Sequence, residues 1–175
     1  MTPFGGIYRG RRVLVTGHTG FKGSWLSPWL DRLGGEVTGL SIDVPTTPSL
    51  FEISGVASRM DSRTGDVRDG AALRVLVEEV RPEIVFHLAA RPLARRSHAE
   101  PALTVDTNVM GTVNILEAAM AAGRPSSIVA VTSDKRCRNN SLLQLTQQQI
   151  ERFEADAQAA GIGWALARAR SKVQS

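Results

Sequence analysis

The chain has 175 residues, 42% of them hydrophobic and 22% charged, which suits one globular domain with enough apolar material for a real core. Its formal charge of +4 is carried mostly by arginines that are scattered and not interleaved with aromatics, which disfavours a nucleic-acid surface. A lone cysteine, Cys137, excludes an internal disulfide framework and leads us to expect a reducing cytoplasm, while no apolar run reaches membrane-span length and residues 1–12 lack a signal-peptide core.

Residues 1–11 read as a short irregular lead-in. Val13, Leu14 and Val15 then mark a buried strand over 12–16, and an apolar, helix-spaced segment follows over 20–33. Between them lies Gly17-His18-Thr19-Gly20-Phe21-Lys22-Gly23, a Gly-x-x-Gly-x-x-Gly spacing. Strand, glycine turn and helix together are the setting in which such glycines cradle a diphosphate. Gly17 permits the tight turn, Gly20 lets backbone N–H groups approach the ligand, and Gly23 lets the helix pack against the strand. The helix N-terminus adds a favourable dipole. Trp25, Leu26, Trp29, Leu30 and Leu33 are expected to form the buried face of that helix. Pro28 inside it should cost about 3 kcal/mol or kink it.

Gly34-Gly35 ends the helix, and a second strand is expected over 36–42. Asp43 follows at its carboxyl end, 20 positions after Gly23. At that spacing an acidic side chain hydrogen-bonds the adenosine ribose and favours NAD over NADP; a turn aspartate before Pro45 is the plainer alternative. Residues 45–51 read as a proline-punctuated loop. A weak third strand at 60–64 leads to Gly65-Asp66-Val67-Arg68-Asp69. There Asp66 either accepts from an adenine amino group or, with Asp69, caps a helix over 70–80.

A nearly continuous apolar run over 83–90 suits a central strand of a parallel sheet. His87 within it reads as a hydrogen-bonded core histidine, and no partner stands at metal-ligand spacing. A long helix at 101–122 and a fifth strand at 127–133 follow, the latter ending in Thr132-Ser133-Asp134-Lys135. Open α/β sheets carry their chemistry at such carboxyl ends. The alternation of strands and helices predicts an α/β fold with a doubly wound, Rossmann-like parallel sheet.

Several segments resemble the CDP-glucose 4,6-dehydratases of the extended short-chain dehydrogenase/reductase family. They are Gly17–Gly23, Pro48–Glu52, Gly65–Asp69, Val85–Ala90, Thr107–Thr112 and Val131–Lys135, and the likeness runs from about residue 11 to residue 140. The resemblance implies an NAD-binding domain over 12–140, with contacts from Gly17, Thr19, Gly20, Phe21, Lys22, Gly23, Asp43, Asp66, Val67, Leu88, Ala89, Ala90 and Asn108. It implies removal of water from a nucleotide sugar, CDP-glucose in the family, giving a 4-keto-6-deoxy sugar. Thr132 would hydrogen-bond the 4-hydroxyl, Asp134 would protonate the departing 6-hydroxyl, and Lys135 would help remove the C5 proton. A lysine serves as a base only where burial or a neighbouring cation lowers its pKa. Read without the resemblance, Asp134-Lys135 is an exposed ion pair. No metal is implied. A helix like that at 101–122 carries the dimer contact in the extended family, which makes it the expected homodimer face.

The chain also departs from the family. The acid/base tyrosine with a lysine four residues on is missing: the lone tyrosine is Tyr8, and the lysines are Lys22, Lys135 and Lys172. Family members usually carry glutamine where Arg91 stands and tyrosine where His98 stands. The pattern stops after Lys135, and residues 141–175 read as a divergent tail with a helix over 141–160 and a short strand over 162–167. The expectation is a truncated or degenerate dehydratase, without the C-terminal substrate domain, that retains NAD binding. The alternative is a non-catalytic Rossmann module docking on a full-length family member.

Overall fold

Alternate residues of one strand point to opposite faces, so the apolar run at 13–15 must be covered from both sides. In the computed structural model, which describes residues 3–91, 100–123 and 127–132, it is. Strand β1 (Arg12–Thr16) lies at the centre of a five-stranded sheet in the order β3-β2-β1-β4-β5, with every pairing parallel. The other strands are β2 (Glu36–Ser41), β3 (Asp61–Thr64), β4 (Ile84–His87) and β5 (Ser127–Ala130). Val13 and Val15 face α1 (Phe21–Arg32) and pack with Leu30, Val37 and Ile84. Leu14 faces the other way, packing with Leu40 and Val85 against Leu73, Leu76 and Val77 of α3 (Gly70–Val80) and Ile115 of α5 (Gly111–Ala121). The two-layer covering is that of a Rossmann-like sheet, as expected.

The inner face of α1 differs from the expected one. Trp25 and Trp29 are 63% and 51% exposed, and the buried positions are Gly23, Ser24, Ser27 and Leu30. A Cβ on Gly23 would stand 2.2 Å from the Gly17 carbonyl oxygen, so the helix approaches the loop too closely for anything but small side chains. The tryptophans are displaced outward, where Trp29 meets Phe4 edge-to-face at 5.4 Å.

Two further elements were not anticipated. Residues 45–51 do not stay a loop throughout: α2 (Leu50–Ser54) begins there, because Ser49 and Glu52 form a capping box. The helix expected at 101–122 is built in three parts, α4 (Pro101–Val105), a π-helical turn (Asp106–Met110) and α5. The tail helix and strand expected within 141–175 lie outside the described residues.

Candidate functional site

The chain crosses from β3 back to β4 on the far side of β1, so the strand order reverses between β1 and β4. In open α/β sheets, the crevice outside that point receives ligands. Gly17 turns the chain there with φ +75°, a conformation that favours glycine, and its N–H donates to the Leu40 carbonyl at 2.7 Å. A Cβ at Gly17 would lie 2.8 Å from Ala89 N and 2.9 Å from Leu88 C, so the loops after β1 and β4 touch backbone to backbone. Gly20 is different. A Cβ there would meet only the Gly17 carbonyl oxygen, at 3.3 Å. The crowding is much milder than at Gly17 or Gly23, and no side chain caps the α1 N-terminus that it begins. Backbone N–H groups at a helix N-terminus without a side-chain cap fit a diphosphate.

His18 anchors this loop from beneath. It is 1% exposed, and its imidazole fills the space that a side chain at Gly39 would occupy. The ring pairs with Ser41 Oγ at 2.9 Å through Nδ1 and with Ser62 Oγ at 2.8 Å through Nε2, and stands edge-on to Phe51. Burial lowers its pKa, against a smaller opposing effect of a hydrogen bond with the Leu40 backbone. The Thr19 N–H donates to the same Ser41 hydroxyl at 3.2 Å, and Thr19 Oγ1 donates to the Asp43 carbonyl at 2.6 Å. The glycine loop and the exposed Asp43 are thus tied into one unit.

On the other flank, Asp66 accepts from the Arg68 N–H at 2.9 Å and from its Nε at 2.8 Å. The Arg68 guanidinium holds the Asp66 carboxyl below its usual range. Asp69, not Asp66, caps α3 by accepting from Ala72 N–H at 3.0 Å. Val67 is buried against Gly111, and Asn114 Nδ2 donates to the Val67 and Arg68 carbonyls, both at 3.0 Å. Asn108, in the π turn, accepts from Arg91 N–H at 2.8 Å and donates to the Arg91 carbonyl at 3.1 Å, clamping the chain beyond β4.

His87 is a hydrogen-bonded core histidine, as the sequence suggested, 3% exposed between Thr16 and Thr112. Leu88, Ala89 and Ala90 follow it past the carboxyl end of β4, and Phe21 and Lys22 are exposed beside Gly20. Thr132 is exposed past β5, while Asp134 and Lys135 lie outside the described residues. Tyr8 stands ahead of β1 and packs toward Phe86 on the α1 face. The anchors His18, Ser41 and Asn114 were missed by sequence reasoning, since none belongs to a periodic or glycine signal. Among the described residues no group of His, Cys, Asp and Glu is arranged to hold a metal, and no helix is long and apolar enough to cross a membrane. A shallow groove of about 670 Å³ at the other end of the sheet is lined by Asp31, Arg59, Asp61, Arg63 and Glu79, which pair with one another.

Sheet order, glycine turn and switch point define a Rossmann-like domain of the short-chain dehydrogenase/reductase class. Among solved structures it superposes on a putative epimerase from Burkholderia cenocepacia with TM-score 0.62 at 30% identity, covering 76% of this chain and 41% of that one. It also matches a Thermus thermophilus UDP-glucose 4-epimerase solved with NAD, with TM-score 0.57 at 32% identity over 64% of this chain and 34% of that one. The family profile described as GDP-mannose 4,6 dehydratase matches residues 14–135, and the chain belongs to that family. It is 53% identical over 134 residues to the CDP-glucose 4,6-dehydratase of Salmonella typhimurium, covering 77% of this chain and 37% of that protein. With UDP-glucuronate 4-epimerase 3 of Arabidopsis thaliana it shares 38% over 133 residues, 71% of this chain and 30% of that protein. The chain thus spans about a third of the length of these curated relatives.

Proposed function

We propose that this chain is the NAD-binding part of a nucleotide-sugar 4,6-dehydratase, with CDP-glucose as the sugar nucleotide. The carrying observation is Gly20, the glycine of the three whose missing side chain is least demanded by packing, at a helix N-terminus that no side chain caps. The 53% identity to a CDP-glucose 4,6-dehydratase supports the sugar assignment. Gly17, Gly20, Phe21, Lys22 and Gly23 would surround the diphosphate, and Thr19 and Asp43 the adenosine ribose. Asp66 and Val67 would border the adenine, and Leu88, Ala89, Ala90 and Asn108 the far half of the dinucleotide. NAD, when bound, supplies reversible hydride acceptance. Thr132, Asp134 and Lys135 would serve the sugar hydroxyls and the C5 proton. The tyrosine–lysine pair that the family uses as acid/base has no counterpart in this sequence, since Tyr8 lies ahead of β1. We therefore assign cofactor binding, and not turnover, to the chain as it stands. Titration calorimetry with NAD, and with NADP as control, tests the assignment. Micromolar NAD binding with weaker NADP binding is expected, and a folded sample giving no heat with NAD overturns it.

A second reading rests on the helix that follows β4. Val105, Val109, Val113, Leu116 and Met120 form an exposed apolar row along it. This supports pairing with a second copy of the chain. Sedimentation of the chain and of Val113→Arg tests this: a dimer that the arginine dissociates is expected, and a monomer in both overturns it.

A further inference from the structure

We propose that His87 is a positioning residue for the cofactor crevice: a neutral imidazole, protonated on Nε2, that holds the Ala89 peptide against the glycine turn. The inference rests on the dinucleotide reading above and goes beyond it, because His87 itself reaches no ligand position. The hydrogen-bond directions follow from the partners. Thr112 Oγ1 donates to the Asn108 carbonyl at 2.8 Å, so it offers only lone pairs to the imidazole. Nε2, 3.1 Å away, must therefore donate. Nδ1 is left bare and accepts from the Thr16 hydroxyl at 2.7 Å, which frees a Thr16 lone pair for the Ala89 N–H at 3.3 Å. Each group in the series is used once in each direction.

The end of the series is where it matters. Ala89 N and Leu88 C are the two atoms nearest to the empty Cβ position of Gly17. The peptide that His87 orders through Thr16 is thus the wall on which the glycine turn rests. At its other end the series reaches Asn108, whose side chain clamps both backbone groups of Arg91. One buried imidazole therefore links the loop after β1, the loop after β4 and the π turn.

Three variants separate positioning from space-filling. His87→Phe keeps the ring and loses both bonds; His87→Gln keeps a donor at the Nε2 position; His87→Asn keeps an acceptor at the Nδ1 position in a smaller side chain. Positioning through Thr16 predicts that Asn binds NAD within about threefold of the parent, although its melting temperature falls. Phe and Gln should lose about tenfold or more. A space-filling role predicts the reverse order, with Phe best, and that order overturns the proposal. Amide hydrogen exchange at Ala89, in the chain without NAD, gives a readout independent of the cofactor. Exchange about tenfold faster in His87→Phe is expected, and unchanged protection overturns positioning even if the parent binds NAD. Conversely, a parent that binds no NAD but shows the expected exchange overturns the dinucleotide reading and not the His87 linkage. Thr16→Val, which removes the hydroxyl between Nδ1 and the Ala89 N–H, supplies the same measurements should His87→Phe fail to fold.

Discussion

Replacing the three loop glycines by alanine one at a time separates what the fold requires from what a ligand requires. At Gly17 an alanine must adopt φ +75°, at a cost of about 1–2 kcal/mol, and its Cβ falls within 3.0 Å of three backbone atoms of the β4 loop. Overpacking of that kind adds about 1–3 kcal/mol, for a total of about 2–5 kcal/mol. Gly23 carries no backbone strain, yet its Cβ would stand 2.2 Å from Gly17 O and 2.5 Å from His18 Cα, so α1 must move outward. A loss of about 3 kcal/mol is expected there too. At Gly20 the new methyl meets one oxygen at 3.3 Å. A weaker helix N-cap costs up to about 1 kcal/mol, and reduced freedom of the unfolded chain returns about 0.4–1 kcal/mol. At about 2–4 °C per kcal/mol, thermal melts by circular dichroism should show Gly20→Ala close to the parent and the other two lower by about 4 °C or more. Calorimetry should then show that Gly20→Ala, although stable, binds NAD at least about tenfold more weakly. If Gly20→Ala melts as low as Gly17→Ala, or binds NAD as the parent does, the division of roles is wrong.

Acid should destabilise the chain before its carboxylates titrate. Burial lowers the His87 pKa from 6.5 to about 4, so between those values the unfolded chain binds a proton that the folded chain refuses. That stability is complete above pH 6.5 and is lost as pH falls toward 4, by about 3 kcal/mol in all. Urea titrations over that range should show the slope, with His18 adding in the same direction, and His87→Phe should flatten it. Asp66 acts in a lower window: its folded pKa lies below 3.8, so its contribution is present above that value and disappears only as pH falls through the depressed one. Asp43→Asn should weaken NAD about tenfold, since hydrogen bonds to a charged acceptor are worth about 1.5–3 kcal/mol, and should raise the NADP to NAD affinity ratio. An unchanged ratio would return Asp43 to the role of a turn residue. Trp25→Gln should shift stability by no more than about 0.5 kcal/mol, because the indole is 63% exposed; a loss near 3 kcal/mol would mean that it is core after all.

Strand β1 and helix α3 were legible to the residue, because an unbroken aliphatic run and an aspartate-capped amphipathic segment each leave one way to bury the apolar atoms. Helix α1 was legible as a helix but not in its facing. A periodicity argument ranks faces by hydrophobicity, and here close approach to the loop selected glycine and serine at 23, 24 and 27 instead. The same distance constraint was hidden at Gly39, which reads as a weak strand residue and is in fact the floor on which His18 lies. Helix α2 was missed although its capping box, Ser49 with Glu52, stands in the sequence, because Pro45 and Pro48 dominate that stretch. Of the candidate site, the glycine loop and Asp43 were legible as a pattern. The polar series through Thr16, His87, Thr112 and Asn108 was not, since it joins residues as many as 71 positions apart along the chain.

The π turn at Asp106–Met110 has a consequence for how this helix tolerates change in length. Removing one residue from it would let the segment relax to a regular α-helix while the residues downstream kept nearly their present facing, because a π turn holds about one residue more than an α turn. Asn114 would keep its reach to the Val67 and Arg68 carbonyls, and Ile115 and Ala118 their places in the core. A polar upstream clamp and an apolar downstream packing face are thus out of phase by one residue, and the wide turn is the phase correction between them. A one-residue deletion here should therefore be accepted, whereas the same deletion inside α5, which has no spare residue, would turn everything after it by about 100°.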